Sequence, residues 1–175
     1  MKTVYSLIAV ILLYSCATFP VISFNADNSL SFNINKSSLT YEGAKLLDPT
    51  TNSEFNEKKG KLNDIIVERI TYTISNFTGP ATQTASATFT IADGNGGGSK
   101  TIASYSNVNL SSLNGVETDF IIDPAAAATL GTYLLEEPNK AMVAYTGSVN
   151  EAPVKFDLKV TFYYKAKSRL IGTNL

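Results

Sequence analysis

The sequence predicts an all-β protein, an antiparallel two-sheet β-sandwich of about seven strands with one or two short helices. Three observations predict it. Apolar and polar residues alternate with a period of two over several segments, most cleanly from Val154 to Lys165. Turn-forming clusters such as Asp93-Gly94-Asn95-Gly96-Gly97-Gly98-Ser99 interrupt those segments at short intervals. Only one stretch, the Ala-rich run after Pro124, has the composition of a sustained helix. With 175 residues, 44% of them hydrophobic, the chain suffices for one domain with a real core.

The sandwich is expected over residues 29–166. Its first strand starts at Ser29, where Leu30, Phe32 and Ile34 alternate with Ser31, Asn33 and Asn35. Residues 16–28 read as a tether because Pro20 forbids regular pairing, although Val21, Ile22 and Phe24 leave room for a partial edge strand. Asp48 to Glu54 opens a short helix, with Thr51 and Glu54 at capping-box spacing and Gly60 as its stop. Ile66, Ile70, Tyr72 and Ile74 share one face of a long strand, and Glu68 breaking into that face predicts a bulge or an exposed end. Ala85, Ala87, Phe89 and Ile91 line the next strand, which the glycine-rich turn ends. Strands over Lys100 to Leu110 and Val116 to Ile122 follow.

Asp123 then caps a helix with Pro124 in its first turn. Ala127, Leu130 and Leu134 fall on one face, Gly131 weakens the interior by about 1 kcal/mol relative to Ala, and Pro138 ends the run. Two strong strands close the domain, Ala141 to Val149 and Val154 to Lys165, and Asn150-Glu151-Ala152-Pro153 predicts a hairpin between them. Residues 167–175 are left as a C-terminal tail.

The N-terminus reads as an address. Met1-Lys2-Thr3 supplies one positive charge before an almost uninterrupted apolar run from Val4 to Tyr14, the pattern of a secretory signal peptide over residues 1–15. The run is shorter than the roughly 20 apolar residues of a membrane helix. It ends in Leu13-Tyr14-Ser15-Cys16, which resembles the lipobox of bacterial lipoproteins: Leu13 three before the Cys, a small Ser15, then the chain's one Cys. Tyr14 is bulkier than that pattern usually admits. The resemblance covers only these residues, and the mature domain matches no family by its residues. It implies diacylglycerol in thioether linkage on Cys16, signal cleavage between Ser15 and Cys16, and acylation, with palmitate for instance, of the new amine. Two or three acyl chains hold stably where one does not. The implied location is the bacterial cell envelope, and Ala17 after the Cys is compatible with the outer membrane. The competing reading is cleavage after Ala17, which would release a periplasmic or secreted protein.

Composition excludes much chemistry. The absence of His removes the usual general base and the commonest metal ligand. A single Cys cannot form an internal disulfide or a thiolate zinc cluster. The absence of Trp disfavours a carbohydrate platform of large aromatic faces. Net charge is −1, and removing residues 1–15 takes away Lys2 alone, leaving 13 bases against 15 acids, or −2. Neither value suggests nucleic acid or anionic lipid as a partner.

The remaining motifs have ordinary explanations. Gly94 to Gly98 lacks the following helix N-terminus of a phosphate loop and reads as a hairpin tip. Asp93 and Asn95 lack the later acidic positions of a calcium loop. Glu117, Asp119 and Asp123 crowd together, but a hydrolytic carboxylate pair needs a cleft, and capping plus a solvated strand face account for all three. Ser99-Lys100 and Lys167-Ser168 form no recognised serine–lysine motif. Tyr163 and Lys165, on the polar face of the last strand, are the candidate contact surface. The expectation is therefore a membrane-anchored, non-enzymatic binding or structural module, without cofactor or metal, whose protein or small-ligand partner the sequence leaves open. Two alternatives stand beside it: an adhesin or fimbrial-type subunit assembled by strand exchange, and a sandwich that carries a lipid or other small ligand.

Overall fold

The computed structural model describes residues 21–169, and in it period-two alternation becomes eight strands. They are β1 (Val21–Lys36), β2 (Thr40–Leu47), β3 (Leu62–Thr78), β4 (Thr84–Asp93), β5 (Lys100–Asn109), β6 (Glu117–Asp119), β7 (Ala141–Val149) and β8 (Val154–Arg169). Two helices interrupt them, α1 (Ser53–Lys58) between β2 and β3 and α2 (Pro124–Leu135) between β6 and β7. One sheet has the order β1-β8-β3-β6 and the other β2-β7-β4-β5, with every ladder antiparallel. After the β4–β5 hairpin the chain changes sheet at each step, and this eight-stranded, two-sheet order is that of a jelly roll.

Several expectations change. The segment Asn150–Pro153 is not a hairpin: β7 and β8 belong to opposite sheets, so it carries the chain across the sandwich. Two strong alternating strands in succession look the same whether they pair with each other or face each other. The buried Gln83 amide holds this crossing by donating to the carbonyl oxygens of Glu151 and Pro153.

β1 begins at Val21 rather than Ser29, because β8 runs for 16 residues and β1 pairs with its whole length. Phe24 and Ala26, opposite Ala166 and Tyr164, bury against the core, so residues 21–28, expected in the tether, belong to the sandwich. At the other end Lys167 to Arg169 continue β8 instead of starting a tail.

Glu68 does mark a bulge, for the β3–β8 register slips between Val67 and Arg69. The slip reverses the parity of the strand, as an extra residue must. Ile65 and Val67 face inward before it, Ile70, Tyr72 and Ile74 after it, and Ile66 is left outside and exposed. The cap of α1 is Asn52, whose side chain accepts from the Phe55 amide at 3.2 Å, in place of the expected Thr51. The strand expected over Val116 to Ile122 shrinks to β6, with Phe120 turned into the core and Ile121 outside.

Aromatic rings fill the space between the sheets. Phe32 meets Tyr145 edge-on at 4.8 Å, and Phe120 packs on Tyr72 and Phe89 at 4.6 and 4.9 Å. Two glycines make room for this layer. Gly43 lies opposite Tyr145 and Gly147 opposite Tyr41, and at each a Cβ would run into the ring across the ladder. The Tyr41 hydroxyl donates to the Ser86 carbonyl at 3.1 Å and lies 3.1 Å from that of Tyr105. Burial pushes the Tyr41 phenol up to about 12.

Helix α2 forms as its residues require. The Asp123 carboxylate accepts from the Ala126 amide at 2.8 Å, Pro124 fills the first turn, and Ala127, Leu130 and Leu134 bury. Gly131 has a reason that composition alone does not reveal. It sits against the backbone carbonyl of Ile65, so helix and strand approach as closely as main chains allow.

Candidate functional site

Cys16 and Ser15, the expected lipidation and cleavage positions, lie outside the described residues, as does the chain from 170 to 175. The other singled-out residues have definite places. Asp93 closes the β4–β5 hairpin: its Oδ1 accepts from the amides of Asn95 and Gly97 at 2.8 and 2.9 Å. Those donors, Gly97 first, hold its carboxyl below the usual range. The carboxylate is thus engaged in turn formation. Among the described residues, no group of three or more His, Cys, Asp or Glu side chains is placed to hold a metal ion.

Glu117 and Asp119 do share one side of β6, and the bulge at Glu68 aims Arg69 at both. Arg69 Nε donates to Asp119 Oδ1 at 2.5 Å, and Nη2 lies 3.3 Å from Glu117 Oε1. The same guanidinium lies over the Tyr163 ring at 5.2 Å, and the Tyr163 hydroxyl donates to Glu117 at 3.3 Å. This is an exposed cluster of one cation and two carboxylates. Two carboxylates that share one guanidinium on an exposed strand are not a pair opposed across a cleft, the arrangement that glycoside hydrolysis needs.

Asp123 is spent on the helix cap. Lys165 lies half-exposed between Asn25 and Ile66 in the ladder. Lys100 donates to Thr129 Oγ1 at 2.9 Å, and Lys167 pairs with Asp64 at 2.7 Å, so neither activates its serine neighbour.

Two features were not singled out from the sequence. The first is a groove of about 470 Å³ between α2 and residues 64–67 of β3, walled by Ile65, Ile66, Ile122, Ala127 and Leu135 with Gly131 in its floor. It exists because β6 pairs with β3 only over Thr71 to Thr73, which leaves the start of β3 to the helix.

The second is the outer face of the β2-β7-β4-β5 sheet. Register aligns its outward residues in rows: Thr40, Ser148 and Ser86; then Glu42, Thr146, Thr88 and Ser104; then Ala44, Ala144, Thr90 and Thr101; then Leu46, Met142 and Ala92. Glu42, on edge strand β2, is the one charged side chain in these rows. The opposite outer face is different, for β8 alone presents Lys155, Asp157, Lys159, Lys165 and Lys167 there.

No protein-family model matches the chain, and no curated protein matches it. Solved viral structures are similar to it at a distance. A structure of Desmodium yellow mottle tymovirus shares 16% identity over 90% of this chain and 92% of the other, with a TM-score of 0.34. The BFDV capsid protein in a 60-mer shares 12% over 91% and 98%, with a TM-score of 0.42. Turnip yellow mosaic virus shares 10% over 90% and 99%, with a TM-score of 0.38. The chain is a jelly-roll β-sandwich on the strength of its own strand order.

Proposed function

We propose that the protein is a non-enzymatic cell-envelope module, held at a membrane by lipid on Cys16, whose jelly roll presents a binding or structural surface in the aqueous compartment. The observation that carries this reading is the start of β1 at Val21. Five residue steps from Cys16 reach at most about 18 Å. A lipid there would keep the sandwich against the bilayer, with the end made by Val21, Leu62 and Arg169 nearest the headgroups. Val21 and Ile22 are 53% and 41% exposed at that end, which suits residues at a membrane–water boundary. Lys59 and Lys61, exposed in the turn that leads into β3, are at the same end.

The non-enzymatic part of the reading draws on the exposed Glu117–Arg69–Asp119 cluster, whose two carboxylates share one guanidinium, and on the ring-filled space between the sheets. In bacteria grown with labelled palmitate, the wild-type chain should take up label and Cys16→Ala should not. An unlabelled wild type released into the medium would sink the anchor and favour cleavage after Ala17.

A further inference from the structure

We infer that the outer face of the β2-β7-β4-β5 sheet is a homotypic interface, packing against the same face of a second copy of this chain. Its rows consist of Ser, Thr and Ala, with Leu46 and Met142 at one end and Glu42 at one edge. Thr88, Ser104, Thr146 and Ser148 are exposed at its centre.

Three physical arguments select a second copy. A two-fold interface sets the same patch against itself, so any charge near the axis meets its own sign. The charged face of the β1-β8-β3-β6 sheet would incur that repulsion, and this face does not. Hydroxyls are both donors and acceptors, so a Ser/Thr surface is hydrogen-bond-complementary to its own copy, which a lysine or carboxylate surface is not. Small side chains over the centre of the grid also let two sheets approach to about 10 Å, the ordinary sheet-packing distance.

The area is sufficient. Four strands about 4.8 Å apart and roughly 30 Å long present about 600 Å² per copy, or about 1,200 Å² in total, the lower end of the range for specific interfaces. An axis parallel to the strands would leave both Val21 ends on one side. The arrangement is therefore compatible with two anchors in one bilayer, but it does not depend on lipid.

The test is the mass of the full-length chain in non-ionic detergent, measured by sedimentation equilibrium over a concentration series, for wild type, Thr88→Lys, Thr146→Lys and Ser31→Lys. Thr88 and Thr146 are cross-strand neighbours at the centre of the proposed face, and Ser31 is exposed on the opposite face. Wild type and Ser31→Lys should form a dimer that dissociates on dilution. Either central lysine should weaken it at least tenfold while the far-ultraviolet spectrum stays that of a β protein. Cys16→Ala should dimerise like wild type, which separates this inference from the anchor. A wild type that stays monomeric at the highest concentration reached overturns the proposal, as does a dimer indifferent to both central lysines, whether or not the face then proves to bind a different protein.

Discussion

Replacing Gly131 by Ala pits two effects against each other, and the structure decides the sign. In an isolated helix the change would gain about 1 kcal/mol. In α2 the added Cβ would lie closer than 3.0 Å to the Ile65 carbonyl oxygen and 3.3 Å from its carbon. The obstacle is the backbone of a paired strand, so it cannot rotate away as a side-chain tip could. Overpacking of this kind costs about 1–3 kcal/mol, and a main-chain clash belongs at the upper end. Offsetting about 3 by about 1 leaves a net loss of about 2 kcal/mol. For a domain of this size that lowers Tm by about 4–8 °C.

Thermal and urea melts followed by circular dichroism measure it, with Ala128→Gly as the control. Ala128 is exposed on the same helix, so that change should cost only the propensity term of about 1 kcal/mol. A Gly131→Ala chain as stable as wild type, or more stable, would refute the close helix–strand approach and with it the shape of the groove.

Other substitutions and pH changes have equally definite outcomes. Asp123→Ala removes the cap of α2 and should cost about 1 kcal/mol in urea melts. Gln83→Ala leaves the Glu151 and Pro153 carbonyls without their donor, and should lower stability by about 2 kcal/mol while loosening the crossing, read as faster amide exchange at Val154. The Tyr41 phenol keeps its proton when folded up to about pH 12, whereas an unfolded tyrosine loses it near 10. Stability should therefore be full below pH 10 and fall on the order of 2–3 kcal/mol as pH rises to 12, and Tyr41→Phe should flatten that slope. Asp157, whose carboxyl is held low by the Asn76 and Asn33 amides, works in the opposite direction. Its contribution is present above the usual Asp range and disappears as pH falls through the folded value, so Asp157→Ala should reduce the acid slope of melting temperature.

How much of this was legible depended on whether a residue's role was local. The alternation of β8, the hairpin tip at Asp93 and the cap and buried face of α2 are decided by neighbours in sequence, and each formed where the residues predicted. The bulge at Glu68 was legible too. Its consequence was not, because the reversed parity that exposes Ile66 and turns Arg69 toward Glu117 and Asp119 appears only once β8 fixes the register. The crossing at Asn150–Pro153 failed for a related reason, since strands that face each other and strands that pair leave the same alternating pattern.

The Ser/Thr face shows the limit most clearly. Thr88, Ser104 and Thr146 are unremarkable residues for a strand taken singly, and only pairing across three strands places them in one row. The tether was misjudged because Pro20 suggested irregular chain beyond it, whereas a proline just before an edge strand disturbs no ladder.

Attachment through Cys16 is the claim on which the proposed workplace of the protein rests, and intact-mass spectrometry of the chain recovered from membranes tests it most directly. The account predicts a polypeptide starting at Cys16 whose mass includes diacylglycerol and an acyl group. A mature chain starting at Thr18, or one retaining its leader with an unmodified thiol, would contradict it.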